Sequence, residues 1–494
     1  MSTFFRWACC VLVLVGIVVI LMKTCSTEEN TTKLLERLPE QKSDSSKSKI
    51  QNKLPEQQIY VVTLTKEIPL LALTDKQGEQ KYDTRSKEID IKVLGLCDRI
   101  GVKNPKVLKH SSVGFIGVIS DTTVARTESG MSAVEMVFEP DFQIQGEPIQ
   151  QGEPIQQGEP IQQGEPIQQG EPIQQGEPIQ QSWGLVSSFE DGSLASCAIY
   201  RAGGAKDASS STKNLWIVDT GIALDRVDIF NIVPDPVISG ATLGRNFTVE
   251  DTDPNFINVE DDNGHGTMVA GIAAGKSVVW GDCRLNLGMA AGARIVPIKV
   301  LDRSGVGKYS NLRWALEYIA TKSEDRDVVN LSIGGFPVLN CNSELSLLKD
   351  AMELMASNRP DRKTVFFVIA AGNNFGNAME SLPGCWGNDG SGMKPNLLTV
   401  GAVNCNTSCA LYSNTGTVVD WVAVGTNVLC PGLRDAAGAY IFRLGTGTSM
   451  ATAVVSGIVY VDNGRPSQSP NKFEVNCMYP HNPKLKIRIA KRKP

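Results

Sequence analysis

Leu215-Trp-Ile-Val-Asp219-Thr-Gly-Ile222 is a run of four apolar residues that stops on a carboxylate and a Thr-Gly turn. It is too short for a helix and ends in β-branched Ile217 and Val218, so it predicts a buried strand. Runs of the same kind return at Ile295–Leu301, Val328–Ser332, Val365–Ala370, Leu397–Val403 and Val418–Val424. Helical patterns separate them. Ser310 is placed to cap a helix with Leu312, Leu316 and Ile319 on one face, and Ser343 one with Leu347, Leu348, Met352 and Met355. Continuous apolar strands alternating with helices predict an α/β fold built on a mostly parallel sheet covered on both sides. Active residues then belong at strand carboxyl ends and helix starts.

Composition narrows what such a sheet serves. The chain has 494 residues, 41% of them hydrophobic and 20% charged, which excludes wholesale disorder. A net charge of -5 argues against a partner held by phosphate neutralisation, so no nucleic acid is expected. Only the last stretch is basic, at Lys484, Lys486, Arg488, Lys491, Arg492 and Lys493. Histidine occurs three times, at His110, His265 and His481, which leaves very few places for histidine chemistry.

The flanking regions suggest an order of segments. The apolar run Trp7–Met22 lies between Arg6 and Lys23 and reads as a secretory signal over 1–26. A retained signal anchor is the alternative, and membrane attachment is expected only if that leader stays uncleaved. Residues 27–58 are a polar lead-in, and strand-like runs at Tyr60–Val62, Val113–Val118 and Glu135–Phe138 suggest a small α+β module over 59–141. Six copies of Gly-Glu-Pro-Ile-Gln-Gln then run from Gly146 to Gln181. A proline in every copy forbids regular helix and one Ile per copy cannot build a core, so an extended, solvated tether is expected. After residue 182 come Cys197, Cys283, Cys341, Cys385, Cys405, Cys409, Cys430 and Cys477, an even set consistent with up to four disulfides. Sequons at Asn30, Asn246 and Asn406 could carry glycans, whereas that at Asn330 lies in an apolar run and is expected to be buried. Residues 465–494 read as a divergent basic tail.

Three motifs fall at strand–helix junctions. Asp219-Thr-Gly alone also marks aspartic proteases, but those need two carboxylates sharing a proton, and no second Asp-Thr-Gly occurs. Asp262-Asn-Gly-His265-Gly-Thr precedes a small-residue helix, so its imidazole is open to whatever approaches. Gly445-Thr-Gly-Thr-Ser449-Met-Ala-Thr puts glycines before a serine that opens a helix, whose amino terminus offers N–H donors to an anion. Singly, each has a plainer structural reading: a strand-end carboxylate, a loop histidine, an N-cap serine.

Together they resemble the subtilisin-like serine proteases, in the order Asp, His, Ser with spacings of 46 and then 184 residues. The resemblance covers 183–464 and, through Trp183-Gly-Leu185 and the cysteine content, leans towards the proteinase K branch. It implies a three-layer subtilisin-like fold and catalytic roles for Asp219, His265 and Ser449. Val368-Ile-Ala-Ala371-Gly372-Asn373 looks like the family's oxyanion segment, which adds Asn373 as a catalytic donor and Ala371 and Gly372 to the substrate-binding set. Gly305-Val306-Gly307 and Ser332-Ile333-Gly334-Gly335 resemble the strands that hold substrate as an added antiparallel strand. The module at 59–141 is similar to the family's inhibitory propeptide, which would make it an intramolecular inhibitor of a zymogen acting on protein or peptide substrates.

The sequence departs from the family at Met268, Ala453 and Val454, where histidine, proline and histidine are usual. No cofactor is needed for the implied chemistry. A structural calcium is compatible with the family, and Asp420 resembles one ligand position. Gly, Ala and Ser in the pocket strands imply apolar or broad specificity, whereas kexin-like dibasic cleavage would need pocket carboxylates such as Asp261 and Asp262. The remaining alternatives are an inactive subtilase fold used for binding and a membrane-anchored processing protease.

Overall fold

The computed structural model describes residues 57–64, 79–108, 114–120, 136–140, 143–146, 150–151, 155–156, 185–187, 193–280, 283–334, 336–337, 341, 346–358, 363–387, 396–468, 474–476 and 486–493. The leader, Asn30, Ser343 and Gly335 lie outside them.

The first folded unit is a sheet with one helix. Strands β1 (Gln57–Leu64), β2 (Lys103–Leu108), β3 (Gly114–Ser120) and β4 (Met136–Pro140) form an antiparallel sheet in the order β2-β3-β1-β4. Helix α1 (Glu79–Ile100) buries Ile89, Val93, Leu96 and Cys97 against Tyr60, Val62, Phe115 and Ile119. Because strand side chains alternate, Val61 and Ile116 point the other way. There they join the core that contains Trp216 and Leu316 of the following domain. Three short strands come next: β5 (Gln143–Gly146), β6 (Gln150–Gln151) and β7 (Ile155–Gln156).

The larger domain is built on parallel strands. Its main elements in chain order are β8 (Asn214–Asp219), α2 (His265–Ala274), β9 (Arg294–Lys299), β10 (Val306–Lys308) and α3 (Tyr309–Lys322). They continue with β11 (Val328–Leu331), β12 (Ile333–Gly334), α4 (Ser346–Ala356), β13 (Phe366–Ala370) and β14 (Leu397–Val403). The last are β15 (Trp421–Val424), β16 (Val428–Arg434), β17 (Tyr440–Thr446), α5 (Thr448–Asp462) and β18 (Lys486–Lys491). The central sheet runs β9-β8-β11-β13-β14-β15-β18, every neighbouring pair parallel. Alternation divides the strands at the centre of the sheet between two cores. Leu215, Ile217, Val368 and Val400 face α2 and α5, while Trp216, Val218, Phe367 and Ile369 face α3 and α4. The expected three-layer α/β arrangement is therefore present.

Four expectations change. The position before α3 is Lys308, without a side-chain cap, and Ser310 lies inside the helix. The basic tail is not an appendage. Its β18 extends the central sheet beside β15, with Ile489 and Ala490 buried in the same core as Ile217. Cys197 is bonded to Cys405 and Cys341 to Cys385, and Cys409 is also disulfide-bonded. Cys430 is a buried free thiol on β16, so the eight cysteines are not all paired. Asn246 is buried, and its side-chain oxygen accepts the N–H and hydroxyl of Thr248 at 3.0 and 2.7 Å. Burial is what sets it against a glycan, because Asn406 makes the same turn to Ser408 and is exposed. Asn330 is fully buried, as its apolar surroundings predict.

Candidate active site

Asp219 closes β8 at the carboxyl end of a central strand, completely buried. The N–H of Thr220 donates to its Oδ1 at 2.8 Å. His265 is the first residue of α2, and Gly264 before it has φ 107°, a left-handed conformation that favours glycine. The turn delivers the imidazole to the strand end. Nδ1 of His265 donates to Asp219 Oδ1 over 2.7 Å, with the two side chains 5% and 0% exposed. This bond places the proton on Nδ1 and makes Nε2 the basic nitrogen of a neutral ring.

What holds this pair was not singled out in the sequence. Asp261 is buried, and its Oδ1 accepts Gly264 N–H at 2.8 Å, Asn263 N–H at 3.1 Å and the Thr220 hydroxyl at 2.9 Å. Its Oδ2 accepts the N–H and hydroxyl of Thr267 at 2.9 and 2.6 Å. One carboxylate thus caps α2 and fastens it to the residue after Asp219. The readable signal was an acid just ahead of a glycine-led helix start. Asp262 is paired with Lys299 at 2.6 Å.

Ser449 is the second residue of α5, after Gly447 at the cap position, so it is not the helix cap. Its hydroxyl is buried and makes no hydrogen bond among the described residues. The start of α5 lies beside that of α2. A Cβ on Gly445 would come within 2.9 Å of Met268 Cε, and one on Gly457 within 2.7 Å of the Ala273 carbonyl oxygen. Gly457 is as far beyond Ser449 as Ala273 is beyond His265, so two parallel helices deliver the serine and the histidine at the same level. Met268, Ala453 and Val454 are all buried in the core, and α5 runs unbroken where the usual proline is missing.

The donor segment converges on the same point. Asn373 follows β13, and its Oδ1 accepts the N–H of Thr448 at 2.8 Å, which fixes the amide against the first turn of α5. Asn414 Oδ1 accepts the N–H groups of Asn374 and Gly376 at 3.0 and 2.8 Å and holds the loop. Ala371 is fully buried, and Gly372 packs on Asn414. Ser332 donates from Oγ to the Ser449 carbonyl at 3.1 Å, receives Asn330 Nδ2–H at 2.9 Å, and Asn330 Oδ1 accepts from Ser456 at 2.8 Å.

The two strands expected to hold substrate already hold one. β5 lies between β10 and β12, antiparallel to both, with Gly307 opposite Ile144, Val306 and Gly334 opposite Gln145, and Ile333 opposite Gly146. Gly305 forms the turn before β10 with φ 76°. Ile144 is buried in the α3 and α4 core. Past it, β6 and β7 pair antiparallel with β17. The start of the repeats is therefore not a solvated tether. Pro148 and Pro154 fall between the paired positions, so the residues in the ladder are ones that keep their N–H.

Asp420 does not fit a cation site. Its Oδ2 accepts the Thr399 N–H at 2.9 Å and its Oδ1 is paired with Arg465 at 3.3 Å, so a calcium ion would compete with a guanidinium. Among the described residues no three acids, histidines or cysteines cluster in a way that could hold a metal. No described helix is long and apolar enough to cross a membrane.

Known proteins are similar to this chain. Subtilisin-like protease 7 of Arthroderma benhamiae is 32% identical over 56% of this chain and 57% of its own length. Subtilisin-like protease 3 of Pseudogymnoascus destructans is 31% identical over 49% and 50%, and the thermophilic serine proteinase of Bacillus sp. (strain AK1) 31% over 54% and 55%. The chain spans about half the length of these relatives. A crystal structure of a cold adapted subtilisin-like serine proteinase aligns with 22% identity and a TM-score of 0.41, covering 59% of this chain and 92% of that one. The sequence profile of the Subtilase family matches residues 215–474, more than half of the chain and the whole span from Asp219 to Ser449, and the chain therefore belongs to the subtilase family.

Proposed function

We propose that the protein is a serine endopeptidase that cuts protein or peptide substrates through Asp219, His265 and Ser449. The observation that carries this reading is the 2.7 Å contact from His265 to Asp219 beside a serine hydroxyl at the start of a parallel helix. Asp219 keeps the proton on Nδ1 and stabilises the imidazolium; Nε2 takes the Ser449 proton as the hydroxyl attacks a peptide carbonyl, then returns it to the leaving amine. The Asn373 amide and the Ser449 N–H would hold the oxyanion, and β10 and β12 the substrate backbone. Losing one such donor in subtilisin costs about 2.7–4 kcal/mol, so Asn373→Ala is expected to lower turnover by about 10²- to 10³-fold. The direct test is fluorophosphonate labelling. Folded, processed wild type is expected to label and Ser449→Ala not; an unlabelled processed wild type would support the inactive binding fold instead.

The reading extends to maturation. The module at 59–141 acts as an inhibitory propeptide, and β5 as the segment that fills the cleft before cutting. Lys106 supports the contact, with Nζ 3.3 Å from the Trp314 ring centroid and 2.7 Å from Glu250. The apolar leader and the disulfides favour secretion. Amino-terminal sequencing of the secreted form checks both, and active protein with residues 59–141 still covalently attached would refute the maturation step.

A further inference from the structure

The hexapeptide array is the feature that the proposed chemistry does not absorb. β17 pairs along one edge with β16, and along its other edge with two successive copies of the repeat. Gln150 lies opposite Thr446 and Gln151 opposite Gly445; one copy later Ile155 lies opposite Phe442 and Gln156 opposite Ile441. The first copy uses its fifth and sixth residues and the second its fourth and fifth, so no fixed side-chain position is being read. Recognition of this kind rests on main-chain hydrogen bonds to an open sheet edge. The edge is also well aimed. β17 ends three residues before Ser449, whereas β5 arrives from the opposite side and pairs through Gly146 with Ile333, next to the Ser332 that is bonded to the Ser449 carbonyl. In chain direction, β5 enters as the acyl side of a substrate enters, and β6 and β7 leave where the amine side leaves.

We propose that the outer edge of β17 is a docking strand for the Gly-Glu-Pro-Ile-Gln-Gln array, so that the chain carries its own ligand for the leaving-group arm of the cleft in interchangeable copies. Two consequences follow from repetition. A docked copy competes with substrate as part of the same chain, and short linkage of that kind gives effective concentrations of about millimolar. Any cut inside the array leaves copies on both products, so the catalytic chain keeps a ligand after its propeptide has gone. The array is then a self-ligand as well as a spacer.

The inference rests on reading β10, β12 and β17 as a substrate cleft, but its test needs no turnover. Hydrogen exchange is measured on the full-length Ser449→Ala chain, using peptides that extend into the array from the unique flanks on either side. The copies are identical in sequence, so each is a control for the others. Amides at 150–156 are expected to exchange at least tenfold more slowly than those at 170–181, and Gln150→Pro with Gln151→Pro, which removes both N–H groups of β6, is expected to abolish the difference at 155–156, where the amides remain. Equal exchange along the array, or protection at 155–156 that survives the double substitution, would overturn the proposal. Labelling of wild-type Ser449 is read separately, so failure of the docking strand and failure of the peptidase reading remain distinguishable.

Discussion

The two faces of the central sheet are covered in different ways. On one, α2 and α5 pack directly on the strands with small residues at their contact and bring His265 and Ser449 with them. On the other, α3 and α4 cover the strands, and Val61, Leu108 and Ile116 of the first module belong to the same core. The proposed catalytic pair is therefore mounted on the face that the larger domain completes by itself. The opposite face is the one shared with the first module. A substitution on the first face should act whether or not the module is present, and one on the second should act only while it is attached.

The largest effect that tests this contrast is His265→Ala. Turnover of a peptide substrate by the processed protein is expected to fall by on the order of 10⁶-fold, the size that such a loss has in subtilisin. A loss below a hundredfold would detach the chemistry from this face. Next is Gly457→Ala, whose new Cβ would stand 2.6 Å from Met289 Cβ and 2.7 Å from the Ala273 carbonyl oxygen. Overpacking of that kind costs about 1–3 kcal/mol. The urea midpoint should drop equally in processed and unprocessed protein; a drop confined to one form would contradict the autonomy of the α2 and α5 face.

On the other face, Lys106→Ala removes a cation–π contact and an ion pair with an exposed Glu250. The expected loss is about 0.5–1 kcal/mol. Limited proteolysis of the unprocessed chain should open the module several-fold faster, while the unfolding midpoint of the processed domain stays where it was. A shift in that midpoint would mean the residue matters beyond the shared core. The smallest effect concerns acid. Burial alone would raise Asp235, but the Arg245 guanidinium and the N–H groups of Ile238 and Val237 bring it down to about 2. Its stabilisation is full above the ordinary carboxylate pKa of about 4 and is lost as pH falls through the folded value. Asp235→Asn should flatten the decline in stability between those two pH values and leave the neutral pH–rate profile unchanged.

Much of the sheet was legible because buried parallel strands read as short apolar runs, and Leu215–Val218 is one. The site was legible because its parts sit where such strands end and helices begin. The rest depended on contacts between distant segments. Asp261 looks like one more loop acid until Thr220 and Thr267 close around it. In β18 Ile487 and Ile489 alternate with Lys486 and Arg488, and charge was read in place of period. The pairing of β6 and β7 could not be read from the repeat, because a main-chain ladder leaves little trace in side-chain identity. Helix α1 has a mixed polar sequence whose apolar positions matter only once β1 and β3 lie beneath it.

If the chain is secreted, Asn330 sets its folding against a modification. Its amide is engaged at both ends, by Ser332 and Ser456, inside a core that excludes water entirely. The same residue opens an Asn-Leu-Ser acceptor sequence. In a compartment that attaches sugars to nascent chains, a glycan added there would bar β11 from the sheet and leave Ser332 without its tie to the nucleophile's carbonyl. A chain that enters such a compartment must bury one asparagine faster than it is modified, and its yield of working molecules is set by that contest.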